Sequence, residues 1–415
     1  MALRHRTVEN SLNQENMHAK VATKAVIPPR GTVPKRAALG DVKLSEANKL
    51  SNVNSNNNGV AKKGGVMGPP QALPKKTVTR KENALQEKSQ NPNIIKPPIK
   101  RQESLLKNIH LERDKVTESS KSYSSKQISI IDPDENTKND PQMVTEYITD
   151  IFNYLLELEC KFPIKKHYLE GHQSSPKMRA ILVNWLIEVH TNFKLFAETL
   201  FLCIAIIDRY LQENKNIGRA TLQLVGTTAM IIASKYEETY WPDLDDYVYI
   251  CDEIFSKRQI VQMERDILEK LDFNLGRPIS LHFLRRYNKI AQVRSDHHAL
   301  GKYLLELALL EYDMSHIRPS IQAAAACCLS IGILNEIMDL SKIWTPTLVH
   351  YTTYKYSDIK STIVDLAHLI AKAETSKHQT CRNKYSTPAF AKISLSSKLH
   401  GPLIRKLTST PLTKK

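Results

Sequence analysis

Between residues 140 and 375 the apolar positions recur at helical spacing, and strand-like alternation is absent throughout. The runs 176–193, 197–213, 219–238, 243–251 and 256–273 each predict a helix, separated by breaks that carry Gly, Pro, Asn or Asp. "FNLGRP" then stops the series, because Gly276 and Pro278 block any continuation of the helix before them. A second series follows at 280–290, 296–313, 319–336, 345–353 and 356–373. Ahead of both, Tyr147, Ile151, Phe152, Leu155 and Leu158 form one more helical stripe, broken at Pro163. The pattern predicts an all-α protein: two tandem helical domains of about five helices each, preceded by an N-terminal helix.

One helix carries too much apolar surface. In "MRAILVNWLIEVH" (178–190), Met178, Ile181, Leu182, Trp185 and Val189 make one stripe, and Ala180, Val183, Leu186 and Ile187 make another. A helix on the surface of a globular domain needs one such stripe. Either this helix is buried all round, or one of its faces awaits a partner.

Charge separates the ends of the chain from its middle. Residues 1–100 hold 18 Lys/Arg against 6 Asp/Glu, and residues 376–415 hold 9 Lys/Arg and no acid. The net charge of +16 therefore belongs to the ends, and the helical middle is mildly acidic. That argues against a nucleic-acid-binding core, whose basic footprint should lie on the fold itself. The first third, with pieces such as "LSNVNSNNNGVAKKGG" and "NPNIIKPPIK", is too poor in apolar residues to offset its ordering entropy. The expected organisation is a disordered regulatory tail over 1–139 and the N-terminal helix with the first domain over 140–277. The second domain takes 278–375, and a basic C-terminal tail takes 376–415, so that disordered tails flank the helical core.

Chemistry is hard to find. Cys160, Cys203, Cys251, Cys327, Cys328 and Cys381 include no CxxC and no His partner at ligand spacing, so neither a metal site nor a disulfide framework is expected. Several of them lie in apolar helical runs and read as small core residues of a reducing compartment. The N-terminal residues lack the apolar run of a signal peptide, and the longest apolar stretch, 323–334, is too short to span a bilayer. A soluble intracellular protein without membrane contact is expected. Nucleotide-binding loops, nucleophile elbows, zincin motifs and kinase signatures are missing, so no cofactor and no enzymatic activity are expected.

Five motifs in order give a resemblance. "MRAILVNWLIEVH", "ETLFLCIAIIDRYL", "LQLVGTTAMIIASKYEE", "FNLGRPISLHFLRR" and "WTPTLVHY" together look like a cyclin of the B, mitotic type, over roughly residues 147–373. The resemblance implies two cyclin-box domains and a regulatory subunit that binds a mitotic cyclin-dependent kinase as a heterodimer. It implies that the subunit orients the kinase's mobile helix, completes its ion-pair geometry, and so controls the G2/M transition.

Residue by residue, the resemblance implies that Lys235, Glu264, Tyr147, Ile151, Phe152 and Tyr154 bind the kinase. It implies that Met178, Ile181, Leu182, Trp185, Glu188 and Gln223 form a patch for substrates and inhibitors of the Arg-x-Leu (RxL) type, which would explain the surplus stripe. Arg179 and Asp208 match a buried structural pair within the first box. Arg285, His298 and Lys302 match positions that hold phosphorylated segments in some B-type cyclins. "RAALGDVKL" resembles a destruction box anchored by Arg36 and Leu39, with Leu44 where Asn is usual, and Lys81, Glu82 and Asn83 spell a KEN box. Both imply recognition by the anaphase-promoting ubiquitin ligase and ubiquitin-dependent destruction. Asn184 and Trp241 depart from the family's usual Asp and Pro, and Thr387-Pro388 and Thr410-Pro411 are candidate proline-directed phosphosites. A cytoplasmic and nuclear location, changing with the cell cycle, follows from the same resemblance. The alternative from another class is a non-catalytic transcriptional adaptor whose paired cyclin-like repeats grip DNA, marked by a salt-dependent DNA affinity of the core.

Overall fold

The computed structural model describes residues 130–409, and no strand occurs among them. An N-terminal helix, α1 (Ile148–Lys161), precedes α2 (Pro176–Asn192), α3 (Ala197–Glu213), α4 (Arg219–Glu237), α5 (Leu244–Ile250) and α6 (Lys257–Lys270). The second group is α7 (Ser280–Ile290), α8 (Ser295–Leu310), α9 (Pro319–Leu334), α10 (Pro346–Thr352) and α11 (Tyr356–Ala373). These match the predicted segments to within three residues at each end.

Local chemistry explains the starts. Ser175 accepts from the Met178 amide and Pro176 stands at the first helical position of α2. Ser256 and Gln259 form a reciprocal capping box on α6. Thr345 accepts from the Leu348 amide ahead of Pro346 at the start of α10.

Each group packs around one nearly enveloped helix. In the first it is α4, whose residues from Leu222 to Ser234 are all buried against α2, α3 and α6. In the second it is α9, where Ala323 through Leu329 have no exposed surface. The small side chains of that run let α7, α8 and α11 approach closely from three sides.

Both ends of the described chain depart from the tails expected for them. Residues 130–139 are not free: Asp134 is buried and pairs with Arg286 and Lys289 of α7. Residues 376–409 fold back over the second box instead of trailing as a basic tail. They form α12 (Thr380–Tyr385), a run of single 3-10 turns, and α13 (Pro402–Thr408). Cys381, Tyr385, Ile393, Leu399, Leu403 and Ile404 are buried there, so the segment supplies core even though its formal charge is wholly basic. Its most buried cation, Lys384, is neutralised by Glu306 of α8 at 2.8 Å from both carboxylate oxygens.

Helix α1 precedes the first box but fastens to the second. Phe152 meets Phe283 edge-on at 6.0 Å. Glu159 accepts from the Ser320 amide and hydroxyl at the start of α9, so a carboxylate sits against a helix N-terminus.

Candidate functional site

Helix α2 shows what its two stripes do. Val183, Leu186 and Ile187 are buried, with α4 on one side and α8 and α12 on the other. Asn184, on the same flank, accepts from the Thr380 amide at 3.3 Å, which brings the C-terminal segment onto this helix. The other stripe is only partly covered. Met178, Ile181 and Trp185 remain half-exposed, with Glu188 half-buried one turn beyond Trp185.

Two of the six residues expected on this patch are not surface residues. Leu182 has no exposed surface, because it lies over Gly226 of α4, where an added Cβ would come within 2.6 Å of its Cδ1. Gln223 is 5 % exposed and belongs to the wall of the core. The accessible apolar surface is thus Met178, Ile181 and Trp185, with Leu182 as its floor.

Lys235 and Glu264 meet at the junction of α4 and α6. The Lys235 ammonium donates to Glu264 Oε1 at 2.7 Å, with the lysine side chain 45 % exposed. Tyr147, Ile151 and Tyr154 are exposed along α1 and the turn before it. Phe152 is not: its ring is spent on Phe283 and on Arg286, whose guanidinium lies 5.8 Å from it.

The structure adds residues that the sequence reading missed. Tyr236 is 56 % exposed next to Lys235, and Phe273 is 68 % exposed just past the end of α6. Phe273 also holds φ at 53°, a conformation rarely adopted by a bulky residue, which keeps its ring off the fold. An exposed ring next to Lys235 of this ion pair makes a surface suited to a protein partner, and Phe273 is a second exposed ring at the end of α6. Periodicity gives no sign of this, because a phenylalanine at a helix end fits a core reading equally well. The left-handed backbone is the signal, and it exists only in three dimensions.

Arg179 and Asp208 form a bidentate pair, with 2.7 Å for each hydrogen bond, and Tyr168 also donates to Asp208 at 2.8 Å. Burial disfavours the Arg179 cation, but the Asp208 carboxylate outweighs it and holds the guanidinium firmly charged. The pair is not confined to the first box. Arg179 Nη1 also donates to the Leu309 carbonyl of α8 at 2.8 Å, and the Leu169 amide donates to the Tyr312 hydroxyl at 2.8 Å. A small cavity of about 40 Å³ lies at this seam, lined by Arg179, Asp208 and Arg277 among others.

Arg285, His298 and Lys302 come together on α7 and α8. Arg285 pairs with Glu198 of α3. His298 Nδ1 faces the Asn288 amide at 2.8 Å, and burial together with the Lys302 and Arg285 charges pushes its pKa down to about 3. Lys302 is likewise lowered by burial and by its cationic neighbours, and its ammonium lies 5.7 Å from the centre of the Phe390 ring. Among the described residues it has no hydrogen-bonded carboxylate of its own.

The destruction box (Arg36, Leu39) and the KEN box (Lys81, Glu82, Asn83) lie outside the described residues. Among the described residues there is no cluster of His, Cys, Asp or Glu able to hold a metal, and no helix long and apolar enough to cross a membrane.

Comparison with known proteins decides the family. Residues 150–276 match the family model "Cyclin, N-terminal domain" and residues 278–399 match "Cyclin, C-terminal domain". The G2/mitotic-specific cyclin-B of Patella vulgata is 41 % identical over 90 % of each chain. The chain belongs to the cyclin B family. The G2/mitotic-specific cyclin-B of Spisula solidissima is 48 % identical over 69 % of this chain and 66 % of its own length. The cyclin-B2 of Anguilla japonica is 42 % identical over 71 % and 74 % respectively. The chain thus spans just under two thirds of the Spisula relative's length. The two matched domains divide at residue 277, where the FNLGRP break stands. Family membership also leaves the DNA-gripping adaptor without support.

Proposed function

We propose that this cyclin B family member is the non-catalytic subunit that binds and activates a mitotic cyclin-dependent kinase. The observation that carries the reading is the Lys235–Glu264 pair, its lysine exposed, together with the exposed rings of Tyr236 next to Lys235 and of Phe273 past the end of α6. A lysine offers a cation to the free carbonyls at one end of a partner helix, and a glutamate offers an anion to the free amides at the other. The exposed aromatics add apolar area that a water-facing surface gains nothing by showing. Tyr147, Ile151 and Tyr154 extend the contact along α1.

Substrate selection goes to the half-exposed Met178, Ile181 and Trp185, which offer an apolar seat for the leucine of an Arg-x-Leu segment, with Glu188 facing its basic residue. Arg285, His298 and Lys302 hold phosphorylated segments. The N-terminal destruction and KEN boxes present the chain to the anaphase-promoting ubiquitin ligase, and the protein moves between cytoplasm and nucleus during the cell cycle.

The test mixes the full chain with a purified monomeric mitotic cyclin-dependent kinase and measures histone phosphorylation. Wild type activates strongly, and Lys235→Ala/Glu264→Ala loses activation. Met178→Ala/Trp185→Ala loses activity selectively on substrates that carry an RxL motif. Failure of the wild-type chain to bind or activate the kinase would overturn the proposal.

A further inference from the structure

Thr387-Pro388 lies in the segment folded back over the second box, and the proposed function makes no use of it. Thr387 is exposed and its backbone is extended, at φ −81° and ψ 155°, the conformation that a following proline enforces. It opens a tight turn. Its carbonyl accepts from the Phe390 and Lys392 amides at 3.1 Å each, and its hydroxyl donates to the Lys384 carbonyl at 2.8 Å. Ala391 and Lys392 both carry positive φ, at 52° and 51°. Two consecutive non-glycine residues in that region cost energy, so a kinase cleft can draw the turn out at little expense.

The turn ends against Lys302 of α8, whose neighbours are Arg285 of α7 and the neutral His298. Phe390 packs on Tyr385 with ring centres 4.6 Å apart, and it lies 5.7 Å from the Lys302 ammonium and 5.6 Å from that of Lys384. Lys384 is already neutralised by Glu306, and Arg285 is paired with Glu198. Lys302 feels the Glu306 and Glu198 charges, but burial and the neighbouring Lys384 and Arg285 outweigh them and lower its pKa. Residues 376–409 contain no Asp or Glu, so nothing on the segment itself repels an anion.

The geometry points to Thr387 as a proline-directed phosphorylation site whose phosphate docks, within the same chain, on the Lys302, Arg285 and His298 cluster and excludes phosphorylated partner segments from it. This rests on the reading of that cluster as a phosphate-binding pocket. The modifying enzyme is a proline-directed kinase using ATP. The Thr387 Oγ forms a bond to the γ-phosphorus, the bond from that phosphorus to the β–γ bridging oxygen breaks, and ADP leaves. The hydroxyl proton passes to the kinase's catalytic aspartate. The product adds a charge of about −1.5 to −2 and three strong acceptors at the opening of the turn whose Phe390 meets Lys302.

The test uses the full chain, treated with a purified proline-directed mitotic kinase and ATP, with Thr387 occupancy read by mass spectrometry. Lack of phosphate on Thr387 overturns the inference. On the phosphorylated chain, a ³¹P titration reads the second ionisation of phosphothreonine. It is expected about half a unit or more lower in wild type than in Lys302→Met, because the adjacent ammonium favours the dianion. Circular dichroism verifies that Lys302→Met is folded, and Arg285→Ala serves as a second variant on the same cluster. Identical titration in wild type and both variants overturns the inference.

A phosphothreonine-proline peptide added to unphosphorylated Thr387→Val then tests the pocket separately. Its affinity is expected to be at least tenfold weaker for the phosphorylated wild-type chain. Equal affinity for the two overturns the inference and leaves the pocket reading standing. A lowered titration without any peptide binding supports the intramolecular dock and removes the partner-segment reading.

Discussion

Replacing Lys384 by Met tests whether the C-terminal segment is part of the folded core. The ammonium donates to both oxygens of Glu306 at 2.8 Å, and Tyr385 donates to Oε1 at 2.6 Å. The two charged side chains are 7 % and 1 % exposed. Methionine keeps most of the lysine's volume, so little of the effect comes from a void. What remains is a buried carboxylate with one neutral donor, and removing one partner of such a pair costs about 3–5 kcal/mol. Against a typical total of about 5–15 kcal/mol, that is a large share.

The pH dependence gives the test a second axis. In the wild-type chain burial raises the Glu306 pKa, but Lys384 outweighs it, and the net value lies below the ordinary one. The pair's contribution is therefore complete above the unfolded carboxyl pKa and is lost as the pH falls through the folded value. In Lys384→Met burial is opposed chiefly by the Tyr385 hydrogen bond, so the Glu306 pKa rises from its wild-type value and its penalty fades as the pH falls. The gap between the two proteins should be widest near pH 7.5 and narrower near pH 5.5. Urea unfolding followed by tryptophan fluorescence at both pH values measures it. Glu306→Gln added to Lys384→Met should recover much of the loss by removing the stranded charge. A destabilisation under about 1 kcal/mol at pH 7.5, or a double variant as unstable as the single one, would refute the reasoning.

Three further outcomes are expected. Arg179→Met should destabilise the protein by about 3 kcal/mol or more, because it strands Asp208 and removes the donor to the Leu309 carbonyl; thermal unfolding should show both boxes affected, and loss confined to the first box would contradict the seam. Phe273→Ala with Tyr236→Ala should change stability by no more than about 0.5 kcal/mol while weakening kinase affinity at least tenfold, as surface calorimetry and titration will separate. His190 and His298 are held neutral, with pKa values of about 4 and about 3, chiefly by burial. Both lie below the unfolded value, so the stability they allow is complete above pH 6.5 and falls as the pH drops through 6 and 5, by up to about 1.4 kcal/mol per unit for each. His298→Asn should flatten that decline, which denaturant midpoints across the range will read.

Helix positions were legible in the sequence because burial in an all-α fold repeats with the helical period, and because caps such as Ser175-Pro176 and Thr345-Pro346 are local chemistry. The helix break at FNLGRP was legible for the same reason, since Gly and Pro act on their own backbone. The Lys235–Glu264 and Arg179–Asp208 assignments came through family resemblance, as no local pattern marks two charges far apart in the chain as partners.

What the sequence could not decide was how elements distant along the chain share a surface. The two stripes of α2 look alike on paper. Only packing showed that Leu182 is taken by the close approach of Gly226, while Met178, Ile181 and Trp185 stay half-exposed. The basic residues after 376 look like a solvated tail, because composition counts Lys384 as a charge. The fold sets Glu306 against it and turns it into core. Charge and apolar periodicity act along the chain and can be read there. Neutralisation and burial depend on what arrives from elsewhere, and that is settled only when the helices meet.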